Sequence, residues 1–214
     1  YWLRNMRQKY RGIRWLYTGS IGLDSVTRRF HVEGALNDLE PFALGPFSTG
    51  TALAFLDDIG ARRARSFLPE AADRVLGRLG WLSPYYLEKV AEDACAHAVP
   101  DRPVTADEVD RAMDRMLDLD KRTYWSTWRE HLDRNFPETE QKLLYAILET
   151  VARDERGVGR DVLLAAVNRP VGSVSERDLR DRIDTLVSDG YLDVVDGRIT
   201  FRMKIGRASC RERV

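Results

Sequence analysis

Apolar side chains recur every three or four residues through the middle of the chain, which predicts a series of amphipathic helices. The recurring positions are Leu53, Phe55, Leu56 and Ile59; Ala72, Val75, Leu76 and Leu79; Tyr86, Leu87, Val90, Ala91, Ala94 and Cys95; and Val109, Ala112, Met113 and Met116. Helix starts are indicated by Ser48 as a cap and by Pro69 and Pro84 as first helical residues, and Gly80 indicates a helix end. Residues 49–117 are therefore predicted to form a bundle of three or four helices.

A second pattern follows in residues 138–203. Three more helical stripes precede two short apolar runs, 191–195 and 199–203, which are joined by Asp196-Gly197. That dipeptide is a strong signal for a two-residue β-hairpin turn. Three helices followed by a hairpin predict a winged helix-turn-helix.

The first 48 residues read differently, because two apolar runs of strand length flank a long irregular loop. The runs are residues 13–17 and 42–47, and we expect each to form a buried strand. A connecting helix is expected over residues 118–137. Its aromatic stripe is predicted to pack between two domains in preference to forming a ligand cage, and consists of Tyr124, Trp125, Trp128, Leu132 and Phe136.

Charge and composition exclude several classes of protein. The 34 Lys and Arg residues equal the 34 Asp and Glu residues, so any nucleic-acid or membrane contact has to be local. No run approaches the roughly 18 apolar residues of a membrane helix, and we expect a cytoplasmic protein. Two cysteines, Cys95 and Cys210, and three scattered histidines predict neither a disulfide scaffold nor a metal site. Cys95 lies in a helical stripe and is predicted to be a core residue.

The last ten residues, IGRASCRERV, have neither apolar periodicity nor turn signals. They resemble the translation of a common sequencing adapter, and Lys204 can derive from the same source. Residues 204–214 are therefore expected to be a non-native tail, and residues 205–214 to pack against nothing. Because the chain begins with Tyr1 inside a helical pattern, we also expect further sequence before it.

The order of these parts resembles the C-terminal portion of a P-loop ATPase of the AAA+ and STAND type, particularly the archaeal-type ATPase group. The resemblance covers residues 1–203 and is carried by IRWLYTGSIGL, NDLEPFALGPFS, GWLSPYYL and the predicted winged helix. It implies a mainly α chain with a remnant of an α/β core. The implied divisions are a distal core remnant (1–48), a helical lid (49–117), a connecting helix (118–137), a winged helix-turn-helix (138–203) and the tail (204–214).

The resemblance also implies contacts with a nucleotide. Thr18 and Ser20 stand where relatives sense the γ-phosphate, although both can equally cap the loop backbone. Gly80 and Pro84 stand where STAND relatives place a Gly-x-Pro element against adenine, with two extra residues between them here. Pro84 is also well suited simply to begin a helix.

Arg28 and Arg29 lie in the irregular loop, where AAA+ relatives carry an arginine finger. A solvated basic pair is the simpler interpretation. The sequence has no GxxxxGK[ST] motif and no strand ending in paired acidic residues, so this chain alone is expected to bind neither ATP nor magnesium and cannot hydrolyse ATP. ATP and magnesium are expected to bind to an intact parent protein. The predicted partners are the N-terminal ATPase core of that parent and a second copy of the chain.

The predicted third helix of the winged helix carries more acid than base. Over residues 175–189, the sequence SERDLRDRIDTLVSD contains three arginines and five carboxylates. Carboxylates near DNA phosphates oppose the counterion release that drives DNA binding, so a protein partner is favoured over DNA. The hypothesis is a nucleotide-sensing lid and winged-helix module of an ATP-binding switch. The alternative is a winged-helix transcription regulator with a helical sensor region.

Overall fold

The computed structural model describes residues 2–18, 27, 30–42, 44–117 and 123–204, and it is mainly helical with a small three-stranded antiparallel sheet. The helices are α1 (Trp2–Lys9), α2 (Thr49–Arg62), α3 (Pro69–Leu79), α4 (Pro84–His97), α5 (Ala106–Leu117), α6 (Thr123–Asn135), α7 (Glu138–Ala152), α8 (Arg160–Val171) and α9 (Glu176–Ser188). The strands are β1 (Val158–Gly159), β2 (Leu192–Val195) and β3 (Arg198–Phe201). A short 3-10 turn spans Glu33–Ala35.

Helices α2 to α5 pack around one apolar core, and we call them the helical unit. Helix α4 packs against both α2 and α5, and α3 packs against α5. Leu56, Leu79 and Leu87 are fully buried at the centre. Cys95 is also buried in this core, as predicted, and burial raises the pKa of its thiol. The bundle of three or four helices predicted over residues 49–117 is therefore confirmed, with four helices.

The predicted helix boundaries are confirmed as well. The Ser48 hydroxyl accepts a hydrogen bond from the backbone N–H of Thr51 at 3.1 Å, which caps α2. Pro69 and Pro84 occupy the first helical positions of α3 and α4. Gly80 ends α3 with a φ of +73°, a backbone conformation that costs glycine little because it has no Cβ.

Glu108 anchors the connection between α4 and α5. Its carboxylate accepts hydrogen bonds from the Thr105 N–H at 2.7 Å, the Thr105 hydroxyl at 2.9 Å and the Val99 N–H at 3.0 Å. Burial raises the pKa of Glu108, but the hydrogen bonds from Thr105 and Val99 outweigh burial, and the pKa lies below its ordinary value. The buried carboxylate thus stays ionised and closes the loop that precedes α5.

The segment from α7 to β3 forms the second apolar core, and we call it the sheet unit. The strand order is β1-β3-β2, with Val158 opposite Ile199 and Leu192 opposite Phe201. The predicted hairpin is confirmed, because Asp196 and Gly197 join β2 to β3 with positive φ. Fully buried residues of this core are Leu144, Ile147, Leu163, Val167, Leu179 and Leu186.

Helix α6 reaches the sheet unit through its last two turns. Leu132 and Phe136 are buried in the sheet-unit core, and the His131 Nδ1 atom lies 3.1 Å from the Tyr191 hydroxyl. The side chains at Tyr124, Trp125 and Trp128, which complete the predicted aromatic stripe, lie outside the described residues, as does the backbone of residues 118–122 and 205–214. The predicted packing of the tail therefore stays a prediction.

The prediction of two strands in the first 48 residues is wrong. Neither described residues 13–18 nor 41–42 and 44–48 form a strand, and Leu16 and Leu44 are 87% and 89% exposed. An apolar run becomes a strand only when a neighbouring strand accepts and donates its backbone hydrogen bonds, and the described part of the chain supplies no such neighbour here.

Polar contacts hold the described part of this segment to α1. The Arg7 guanidinium donates to both carboxylate oxygens of Asp38 and to the Ala35 carbonyl. The hydrogen bonds from Arg7 hold the pKa of Asp38 below its usual range. Arg4 donates to the Gly34 carbonyl at 2.8 Å. Helix α1 is thus tied to residues 34–38 by two arginines of one helical face.

Two glycines with positive φ allow a matched test of the sheet. A Cβ at Gly157 would lie 2.4 Å from Thr200 Cγ2 and 2.8 Å from the Ile199 carbonyl oxygen, whereas a Cβ at Gly197 would meet nothing within 4 Å. We predict that Gly157→Ala lowers the free energy of unfolding by about 3–5 kcal/mol, from overpacking added to backbone strain. Gly197→Ala, which adds strain alone, should cost about 1 kcal/mol.

Urea unfolding followed by circular dichroism measures both values. Equal losses for the two variants would contradict the close approach of residue 157 to β3.

Candidate functional site

The candidate site is the turn between α3 and α4, which brings Gly80 and Pro84 together. The Gly80 N–H donates to the Leu76 carbonyl at 3.0 Å and closes α3. Across the turn, the Ser83 N–H donates to the Trp81 carbonyl at 2.9 Å, and Pro84 begins α4. Gly80 and Pro84, for which the resemblance to STAND ATPases implies adenine contact, therefore flank one turn of backbone.

Apolar residues attach the turn to the helical unit. Leu82 is buried, and its carbonyl accepts a hydrogen bond at 3.0 Å from the N–H of Phe47, which precedes α2. Phe47 in turn makes an edge-to-face contact with Phe55, with ring centroids 5.5 Å apart. Residues before α2 thus fix the position of the turn on the helical unit.

Pro84 and the next residue, Tyr85, remain exposed on the outer side of the turn, and Tyr85 is 47% exposed. A proline ring and a tyrosine ring offer flat apolar surfaces of the kind that a purine can contact. Neither supplies a positive charge for phosphates. The chemistry available on this side is therefore apolar contact and stacking.

The nearest cation on α4 is already paired. The Lys89 ammonium lies 3.3 Å from a carboxylate oxygen of Glu92 and 5.9 Å from the Tyr85 ring centroid. Glu92 also accepts from Arg63 at 2.8 Å, and hydrogen bonds from Arg63 and then Lys89 hold the pKa of Glu92 below its usual range. Lys89 is therefore paired within α4, and Arg63 connects the same carboxylate to the end of α2.

The residues after β3 cover the inner side of the turn. The Arg202 guanidinium carbon lies 4.7 Å from the Trp81 ring centroid, which is a cation–π geometry. The Lys204 ammonium donates to the Gly77 carbonyl at 2.9 Å. A Cβ at Gly80 would meet Lys204 Cγ at 3.3 Å, so Lys204, the first residue of the expected tail, lies beside Gly80.

The other predicted site residues are not assembled here. Thr18 is exposed in an extended stretch, and Ser20, Arg28 and Arg29 lie outside the described residues. Their predicted roles stay predictions. Within the ranges described, no group of three or more His, Cys, Asp or Glu side chains could hold a metal ion, and none of the described helices is long and apolar enough to cross a membrane.

Sequence reasoning missed the contact between Trp81 of the turn and Arg202. Trp81 directly follows Gly80, which ends α3, so the sequence places a large apolar ring in a loop. A ring in that position is expected to pack against another segment, but the sequence does not show which one. Arg202 lies in the apolar run 199–203, and nothing in that pattern indicates its contact with Trp81.

Comparison with known proteins adds no relative. No family model matches the chain, and no curated protein matches it at a significant level.

Proposed function

We propose that this chain is the distal part of an ATP-binding switch of the AAA+ or STAND type. In this proposal, the helical unit is the nucleotide-sensing lid and the sheet unit is a winged helix-turn-helix. The observation that carries the proposal is the order of the two units together with their meeting point. A four-helix unit precedes the sheet unit, and the residues after β3 lie on the turn that contains Gly80 and Pro84.

The topology of the sheet unit supports the winged-helix assignment. A helix, a short strand, two helices and a hairpin follow in that order, and β3 pairs with both β1 and β2. In this assignment α8 and α9 are the helix-turn-helix pair, and the β2–β3 hairpin is the wing. Helix α9 is then the recognition helix.

The lid assignment rests on the geometry of the α3–α4 turn. Gly80 leaves room for a close approach to the backbone, and Pro84 presents an apolar ring beside it. The phosphates and magnesium would be held by a P-loop and an acidic strand supplied by sequence before Tyr1. Thr18 and Ser20 would sense the γ-phosphate there, and Arg28 and Arg29 would act toward a neighbouring subunit.

The chain offers a matched pair of prolines for testing nucleotide contact. Pro84 and Pro69 are both exposed first residues of helices, where glutamate is favoured by the helix dipole. In the longer protein that carries the P-loop, Pro84→Glu should weaken adenine-nucleotide binding about tenfold or more, because a carboxylate would lie near the purine and phosphates. Pro69→Glu should leave the affinity unchanged.

Isothermal titration calorimetry with ATP and ADP measures both affinities. Equal affinities for the two variants would indicate that Pro84 only begins a helix and does not contact the nucleotide. An upstream coding sequence without a GxxxxGK[ST] motif would contradict the proposed function as a whole.

The exposed charges of α9 favour a protein surface over DNA as the contact of the sheet unit. Four carboxylates on the helix are exposed, against two exposed arginines, Arg177 and Arg180. The third arginine, Arg182, pairs with Glu140 on α7 at 2.9 Å. Arg202 is engaged by Trp81. Few cations therefore remain to neutralise phosphates.

Duplex DNA binding separates the switch from the alternative, a winged-helix transcription regulator. The chain shortened after Met203 should bind a DNA duplex with a Kd weaker than about 10⁻⁴ M at physiological salt, because its net cation count is low. Fluorescence anisotropy in a salt series measures this. The chain extended to Val214 adds four cations, Lys204, Arg207, Arg211 and Arg213, and should bind more tightly at low salt only.

Specific DNA binding that persists at physiological salt in the shorter chain would favour the transcription regulator.

A further inference from the structure

Met203 belongs to the sheet unit by sequence, yet its side chain is buried in the core of the helical unit. It is 4% exposed. The other buried residues of that core all fall within residues 52–116. A methionine side chain is flexible and fills irregular gaps, which suits it to insertion into a core formed by other elements. The end of β3 is therefore fastened to the helical unit by apolar burial.

Arg202, the preceding residue, is bound to both units at once. Its backbone N–H donates to the Tyr191 carbonyl at 3.0 Å, and its guanidinium donates to the Val187 carbonyl at 2.9 Å. Val187 lies in the last turn of α9, where a positive charge is favourable because helix carbonyls are exposed there. The same guanidinium lies over the Trp81 ring of the helical unit. Arg202 thus connects the end of α9 to the α3–α4 turn.

We propose that Arg202, Met203 and Trp81 form a latch that holds the sheet unit on the α3–α4 turn, and that opening of the latch exposes Trp81 and Met203 without unfolding either unit. Each unit has its own apolar core, so separation withdraws Met203 from the helical unit and leaves the other buried residues of both cores packed together. The latch is thus a masking contact on the turn. Only its consequence for nucleotide access rests on the proposed function.

Methionine oxidation measures latch opening directly. Hydrogen peroxide converts an accessible thioether to the sulfoxide and is itself reduced to water, and mass spectrometry follows each methionine separately. The Met203 thioether is buried only while the latch is closed. Met113, in the interior of the helical unit, is the internal reference because it is oxidised only when that unit unfolds. When closing is fast relative to oxidation, each rate follows the population of its open form, and we expect Met203 to be oxidised faster than Met113.

Substitution of the latch arginine tests the mechanism. Arg202→Gln should accelerate oxidation of Met203 about tenfold, because the cation–π contact is lost, and leave the oxidation rate of Met113 unchanged. Trp81→Leu should accelerate it similarly, and the double variant should show no further gain, since both changes remove one contact. Arg180→Gln, on an exposed face of α9, is the matched control and should change neither rate.

Equal oxidation rates of Met203 and Met113, or equal acceleration of both by Arg202→Gln, would overturn the proposal, because opening would then be global unfolding. The assay contains no nucleotide. A latch that behaves as predicted therefore survives even if Pro84→Glu leaves nucleotide affinity unchanged, and that second result would count against the proposed function alone.

Discussion

The burial of Met203 in a core that it does not belong to by sequence is the interaction on which the arrangement of this protein depends. Burial of a methionine side chain contributes about 2 kcal/mol, and the adjacent cation–π contact of Arg202 with Trp81 contributes about 1 kcal/mol. These are modest free energies compared with those of the two apolar cores. The contact between the units is therefore weaker than either core, and a ligand or partner can change it without disrupting them.

The position of this contact gives it functional meaning. It lies on the turn that ends α3 and begins α4, where Gly80 approaches Lys204 and Trp81 approaches Arg202. A molecule that binds this turn more tightly when the units are separated shifts the equilibrium toward the separated state. The size of that shift is set by the ratio of its affinities for the two states. A ligand bound at this turn can therefore act on the sheet unit through these few residues alone.

Local signals in the sequence predicted much of the fold. Ser48, Pro84 and Gly80 mark helix ends because capping and positive φ are properties of a few neighbouring residues, and the Asp196-Gly197 turn is of the same kind. Strand β1 was missed because two residues cannot show an alternating pattern. The strands expected at residues 13–17 and 42–47 were wrong, because an apolar run indicates a need for burial but cannot supply a partner strand.

The candidate site also has a part that local sequence predicts and a part that only tertiary structure determines. The turn between Gly80 and Pro84 was predicted from helix punctuation, but its cover was not, because Arg202 and Met203 reach it only through the tertiary arrangement of two units. From the sequence alone, an arginine after a strand is interpreted as a surface charge, because its contact with the Trp81 ring forms only in the folded structure. Contacts between distant segments leave no periodic trace in the sequence.

The distance between the two units is the measurement that tests this account most directly. Spin labels at two exposed positions, introduced by Asp73→Cys on α3 and Asp184→Cys on α9 with Cys95 replaced by alanine and Cys210 by serine, report the distance by double electron–electron resonance. The account predicts one narrow distance distribution, since the latch holds the units in a single orientation. A broad distribution in the otherwise unchanged chain would contradict it.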